Sequence, residues 1–177
     1  DFNLGFYGRL KGLQELPPQR TKGPDGHDMR GRWQVVDRIT APSGLGIVEE
    51  FEFARQHTDR PIKVTCPGPY TLAGRPQTGT IYADRYAVAA DMADIISEEL
   101  RKCVAAGATW IQLDEPSAAV HPDNPTAFVE LIARAVKGVN AKIGMHMCFG
   151  NFRGRAVGKR TYAPLFPHIL ECPVDQF

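Results

Sequence analysis

No CxxC pair, no apolar run near the roughly 20 residues of a membrane helix and almost no net charge: these absences narrow what the chain can be. Basic and acidic side chains number 21 and 20, with both signs interspersed, so a formal charge of +1 leaves no footprint for a nucleic acid or an anionic membrane. The four cysteines, Cys66, Cys103, Cys148 and Cys172, lie far apart. That pattern suits reduced thiols in a cytoplasmic protein better than a disulfide framework. The start, Asp1-Phe2-Asn3-Leu4, lacks the basic-then-apolar order of a signal peptide. It also lacks an initiator methionine, and the native chain is expected to begin upstream. What remains, 177 residues of which 43% are apolar and 23% charged, fits one globular domain with a real core and is too short for two ordinary ones.

Glycine, proline and charge dominate residues 1–31, which read as a long loop with at most a short strand or turn near Gly5–Arg9. A strand is expected over Trp33–Ile39 and a break at Ala41-Pro42-Ser43-Gly44, with Ser43 capping the next helix. Ile47, Val48, Phe51 and Ala54 give that helix its buried stripe. Pro61–Cys66 reads as a second strand, with Ile62, Val64 and Cys66 inward. The clearest helix spans about Tyr82–Ala106, with Met92, Ile95, Ile96, Leu100, Cys103 and Val104 buried and Gly107 ending it. Thr109–Asp114 is the third strand. Ile111 and Leu113 take its apolar face, and Trp110, Gln112 and Asp114 take the other. Asn124 and Pro125 open a helix as cap and first-turn proline, and Gly138 stops it. Lys142–Cys148 is the fourth strand, with Ile143, Met145 and Met147 on one face and Gly144, His146 and Cys148 on the other. A basic glycine-rich loop (Phe152–Arg160), a short helix near Tyr162–Leu170 and the opening of a fifth strand at Val174–Phe177 complete the chain.

Strand and helix alternating in this way predict a parallel α/β sheet. Two arrangements fit, an open doubly wound sheet and a (β/α)8 barrel. Strands buried on both faces of an open sheet should be apolar throughout. Here the second face is polar on three of them: Lys63 and Thr65, Gln112 and Asp114, His146 and Cys148. No glycine-rich phosphate fingerprint follows the first strand. Both observations favour a barrel whose lumen opens into a site at the strands' C-terminal ends. Residues 1–177 are thus expected to form a single incomplete barrel domain, stopping inside a strand at 174–177, with the rest of the barrel or another chain needed to complete it. His146 and Cys148 are donors of the kind zinc takes. The same pair also reads as a packed histidine and an inert thiol, and Asp114-Glu115-Pro116 also reads as a capping turn.

Trp110-Ile111-Gln112-Leu113-Asp114-Glu115-Pro116 and Gly144-Met145-His146-Met147-Cys148-Phe149-Gly150-Asn151 resemble the two signature strands of the cobalamin-independent methionine synthase catalytic barrel. Pro61-Ile62-Lys63-Val64-Thr65-Cys66-Pro67-Gly68-Pro69-Tyr70-Thr71-Leu72 is similar to the family's Gly-Pro-x-Thr strand end. The Cys-Phe-Gly-Asn form, followed by Gly154 and Lys159, is closer to smaller relatives, the core methionine-synthase-like proteins and the epoxyalkane:coenzyme M transferases. The likeness runs from about Trp33 to Phe177.

The resemblance implies a zinc-dependent methyl- or alkyltransferase of methionine biosynthesis, acting on a small thiol such as homocysteine. It assigns His146 and Cys148 to the metal, with a glutamate and a second cysteine expected beyond Phe177. Glu171 and Cys172 precede the strand and do not replace them. Asp114 would take the substrate ammonium, with Gln112 and Glu115 beside it as further substrate-binding residues. Gly74-Arg75-Pro76-Gln77 stands where the family carries an aromatic for a folate donor, so the likeness does not carry a folate. Transfer to another thiol such as coenzyme M, lyase chemistry on a barrel like uroporphyrinogen decarboxylase, and a barrel kept as a binding module are the alternatives.

Overall fold

The computed structural model describes residues 3–20, 29–150 and 155–177. The N-terminal stretch is not the loop that its glycines and prolines suggest. A single helical turn, α1 (Leu4–Tyr7), leads into β1 (Lys11–Arg20), which pairs antiparallel with β2 (Met29–Thr40). The apparent breakers sit where pairing is irregular: the register shifts between Lys11 and Leu13 and again between Leu16 and Gln19. Gly12 occupies the first shift at φ 82°, and an added Cβ would lie 2.5 Å from the Arg38 carbonyl oxygen. Pro17 and Pro18 occupy the second, where a missing N–H breaks no regular rung.

The strand expected over 33–39 exists, but it does not join the main sheet. It belongs to β2, whose second neighbour is the two-residue β4 (Pro76–Gln77), paired parallel to Trp33 and Gln34. Trp33, Val35 and Ile39 face the core from β2, and Trp33 stacks on Tyr7 with ring centroids 4.4 Å apart.

Helix α2 (Ile47–Arg55) follows, then β3 (Val64–Pro67), the single turn α3 (Pro69–Leu72) and β4. The long helix α4 (Arg85–Ala105) starts three residues later than expected. Asp84 caps it by accepting from the Ala87 N–H, while Tyr82 stays outside and donates to Asp91. Met92, Ile96, Leu100 and Cys103 are fully buried on its inner face. Ser43 does not cap α2. The N-cap is Gly46 at φ 88°, and the free amides of this end are taken by a side chain from α4. Glu99 accepts from Leu45 N at 3.0 Å, Ile47 N at 2.8 Å and Val48 N at 3.4 Å. A buried carboxylate here satisfies donors that no local residue reaches and complements the helix dipole.

The main sheet has the order β3-β5-β6, all parallel, with β5 spanning Trp110–Asp114 and β6 spanning Lys142–His146. Between them run α5 (Pro116–Val120) and α6 (Pro125–Ala135), the latter capped by Asn124 accepting from Ala127 N. Gly107 and Gly138 hold the left-handed conformations that end α4 and the α6 segment. Beyond β6, the backbone at 174–176 lies along it: Met145 N donates to Gln176 O, and Asp175 N donates to Ile143 O. The strands therefore add in chain order on one side, without reversal among the described residues. Between β6 and this segment, the short helix expected over 162–170 is two 3-10 turns instead, Ala163–Leu165 and His168–Glu171. Pro164 and Pro167 lack the N–H groups a continuous helix needs. Residues 151–154, which take in Asn151 of the signature stretch and Gly154 of the expected glycine-rich loop, lie outside the described residues. No helix among the described residues is long and apolar enough to cross a membrane.

Candidate active site

Three parallel strands end side by side, and their alternation decides what they present. On β5, Ile111 and Leu113 are fully buried while Trp110, Gln112 and Asp114 are half-buried, as the two-residue period requires. On β6, Ile143 and Met145 face inward, and His146 is exposed at the strand's end. The register places Gln112 opposite Gly144, and Asp114 opposite His146. Neighbouring strands stand about 4.8 Å apart, so the Asp114 carboxylate and the His146 imidazole rise from adjacent positions at the C-terminal edge. β6 stops at His146, two residues short of the expected end. Cys148 belongs to the loop that follows, so alternation along the strand does not aim its side chain.

Cys148 differs from the other three cysteines. Cys66, Cys103 and Cys172 are buried, whereas Cys148 is partly open. Burial pushes the thiols of Cys103 and Cys172 up to about 12 and raises Cys66 as well, so these three are packing groups that stay protonated. Imidazole and thiol are the donor types zinc takes, and His146 and Cys148 bring one of each to the same strand end. Among the described residues no group of three or more His, Cys, Asp and Glu side chains assembles for a metal. His146 and Cys148 are thus two donors that fit zinc in type, fewer than a zinc site takes from protein.

Glu115 is placed differently from the substrate-facing role expected of it. It follows Asp114 directly, yet it is completely enclosed. One carboxylate oxygen accepts from Tyr70 N at 2.9 Å and the other from the Thr71 hydroxyl at 2.6 Å. Its own N–H donates to the His146 carbonyl at 2.8 Å, and Gly68 N donates to the Asp114 carbonyl at 2.9 Å. Residues 114 and 115 thus lace the ends of β3, β5 and β6 together. Burial raises the Glu115 carboxyl to about 7, against the opposing pull of its hydrogen bonds and of Arg85. Glu115 is a clamp inside the Gly68-Pro69-Tyr70-Thr71 turn and does not share the open face of Gln112, Asp114 and His146.

That open face carries a second line of contacts. Gln112 Nε2 donates to Asp114 Oδ1 at 2.8 Å, and Lys63 Nζ donates to Gln112 Oε1 at 2.5 Å. Behind the turn, the Arg85 guanidinium lies 3.7 Å over the Tyr70 ring and donates to the Tyr70 carbonyl, while the Tyr70 hydroxyl donates to Asp123 at 2.9 Å. A groove of about 370 Å³ lies elsewhere, between the end of β2 and α4, lined by Arg38, Asp91, Glu98 and Glu99 among others. All four of its carboxylates are committed: Asp91 to Arg38 and Tyr82, Asp94 to Arg134, Glu98 to Lys102, and Glu99 to the start of α2. Sequence reasoning missed the roles of Glu99, Glu115 and Lys63. Their partners lie between 44 and 54 residues away, and no local spacing reveals them.

A family model described as the catalytic domain of cobalamin-independent synthase matches residues 32–157. The methionine synthase of Pyrococcus abyssi is 37% identical over 148 residues, covering 83% of this chain and 42% of that protein. That of Saccharolobus solfataricus is 34% identical over 173 residues, covering 97% of this chain and 47% of that one. Among solved structures, a B12-independent methionine synthase from Shewanella sp. W3-18-1, in complex with selenomethionine, superposes with a TM-score of 0.78 at 26% identity. That match covers 96% of this chain and 52% of the other. The chain thus spans less than half the length of these two curated relatives. The matched residues take in most of β2 and all of β3 through β6, and with them Lys63, Gln112, Asp114, His146 and Cys148: the chain belongs to the family of cobalamin-independent synthase catalytic domains.

Proposed function

We propose that this chain is part of a (β/α)8 barrel that transfers a methyl or alkyl group to a substrate thiol without cobalamin, with zinc as its metal and a homocysteine-type amino acid as acceptor. One observation carries the reading: Asp114 and His146 stand in register at the C-terminal ends of adjacent parallel strands, with the partly open Cys148 two residues on. Barrel enzymes place their working groups at that end. The one-directional order β3-β5-β6, continued by the backbone at 174–176, is the order a closing barrel requires. His146 and Cys148 would hold the metal with ligands from outside the described residues. When bound, zinc supplies the positive charge that lets a thiol, ordinarily near pKa 8.5, ionise around neutral pH.

The chain's own residues do the rest. Asp114 meets the acceptor's ammonium, because a cation entering a partly dry lumen needs a charged partner. Gln112 steadies that carboxylate, and Glu115 fixes the turn beside it. Pro76 and Gln77 pair with β2 as β4, and the proposal names no folate as donor.

Asp114→Asn keeps the shape and removes the charge. In the intact protein it should raise the KM for homocysteine by about tenfold to a hundredfold, the range of one hydrogen bond to a charged group. Zinc content by atomic emission should stay near wild type. Cys148→Ala should lose most of the zinc. Equal zinc loss in both variants would remove Asp114 from the ammonium role and place it at the metal.

A further inference from the structure

We infer that Lys63 is a positioning residue for acceptor specificity: through Gln112 it fixes the orientation of the Asp114 carboxylate, and it does so by hydrogen-bond polarity. The inference deepens the proposed function and rests on its assignment of Asp114. A primary amide has two unlike ends, and nothing in Gln112 itself says which should face Asp114. With the oxygen end forward, two acceptors would oppose each other and the carboxylate would turn away. Lys63 decides the matter. Its ammonium can only donate, so it takes Gln112 Oε1, at 2.5 Å, and leaves Nε2 to face Asp114 Oδ1 at 2.8 Å. One carboxylate oxygen is thereby engaged, and the plane in which the other meets a donor is set.

Lys63 is itself held. Its ammonium lies 5.1 Å from the centre of the Trp110 ring, and Lys142 lies 5.0 Å from the same ring. Trp110, Gln112 and Asp114 are the successive half-buried residues on one face of β5, so the relay runs along one strand from its N-terminal to its C-terminal end. Lys63 stands on the neighbouring chain segment just before β3, a strand that pairs with β5 from Val64 onward.

Charge and polarity separate under three substitutions of Lys63. Lys63→Arg keeps a donor-only cation. Lys63→Met removes the donor and frees the amide to turn. Lys63→Glu offers an acceptor, which takes Gln112 Nε2 and turns Oε1 toward Asp114. The readout is the ratio of dissociation constants, by calorimetry on the intact zinc-loaded protein, for homocysteine and for 4-mercaptobutanoate, its analogue without the amino group.

Wild type should prefer homocysteine, and Lys63→Arg should keep that preference. Lys63→Met should reduce it about tenfold, and Lys63→Glu should reduce it further. Melting temperature and zinc content should not change in any of the three. A Lys63→Met protein with the wild-type ratio, or with both affinities lowered equally, overturns the relay while leaving Asp114 in its role. A wild type that binds both thiols equally overturns the Asp114 assignment and the relay with it.

Discussion

Glu115→Gln should flatten the acid-to-neutral stability profile of the protein, and Glu115→Ala should destabilise it by about 3 kcal/mol or more. The carboxyl is completely buried and its value in the fold is about 7, raised from 4.5 chiefly by burial. Between those two values the native state holds more of the proton than the unfolded chain does. Stability therefore declines as pH rises through that window and levels off above about 7. The shift corresponds to roughly 3 kcal/mol between the two plateaus, with no discount for solvent screening because the group is enclosed. Glutamine copies the protonated acid and does not titrate, so the difference in stability between wild type and Glu115→Gln should grow with pH. Alanine removes the acceptor of Tyr70 N, leaves that amide unpaired and opens a cavity under the turn. Urea unfolding of the three proteins at pH 5 and pH 8 reads both effects. Parallel profiles for wild type and Glu115→Gln would mean that the carboxyl titrates normally and is not sealed.

Gly68→Ala should rank with Glu115→Ala, and the two should not add. Gly68 has φ −75° and ψ 163°, which any residue adopts, so backbone strain is not at issue. Space is. A Cβ there would sit 2.2 Å from Glu115 Oε1 and 2.4 Å from both Cδ and Cγ. The carboxylate does not swing aside without dropping Tyr70 N and the Thr71 hydroxyl, and the Cγ contact implicates the stem of the side chain as well as its tip. The single substitution should destabilise by about 2–4 kcal/mol, in the range of overpacking plus a lost buried hydrogen bond. In a Glu115→Ala background the clash disappears, so Gly68→Ala should then be nearly neutral. A double-mutant cycle should return a coupling of about 2–4 kcal/mol, the whole cost of the single Gly68→Ala substitution, and simple additivity would show that the two residues do not compete for the same space.

Local rules made one part of the fold legible. Alternation assigned Ile111 and Leu113 to the core and Gln112 and Asp114 to the other face, because a strand's side chains obey a period of two whatever surrounds it. Asn124 and the glycines at 107 and 138 were readable for the same reason, since caps and left-handed turns are settled within a few residues. What failed was non-local. Pro17 and Pro18 looked like loop punctuation, and only the partner strand shows that they fall on a register shift. Trp33–Ile39 has the pattern of a strand, but a pattern does not say which sheet will take it. At the candidate site, Asp114 and His146 were placed correctly at neighbouring strand ends, since parallel strands in sequence order bring their C-terminal residues together. Cys148 was put on the strand because the backbone's departure after His146 leaves no trace in residue type. Glu115 was read by its neighbour's role. Its inward turn depends on Tyr70 and Thr71, which lie 45 and 44 positions earlier.

The Glu99 cap bears on the order in which the chain folds. The amides of Leu45, Ile47 and Val48 are satisfied from a side chain 54, 52 and 51 residues further on. A contact of that span forms only after a large loop has closed, at an entropic cost that a local cap would avoid. Helix α2 is nine residues long, below the length at which an isolated helix persists in water. It should therefore stay unformed until α4 has condensed, although α4 emerges later in synthesis. In pulsed hydrogen exchange during refolding, the amides of Leu45 and Ile47 should gain protection together with the middle of α4 and later than the α4 segment that nucleates. A nascent chain released before residue 99 would present α2 as a frayed segment. The first helix after β2 is thus assembled from the C-terminal side, and the stability of its leading turn reports the docking of another element.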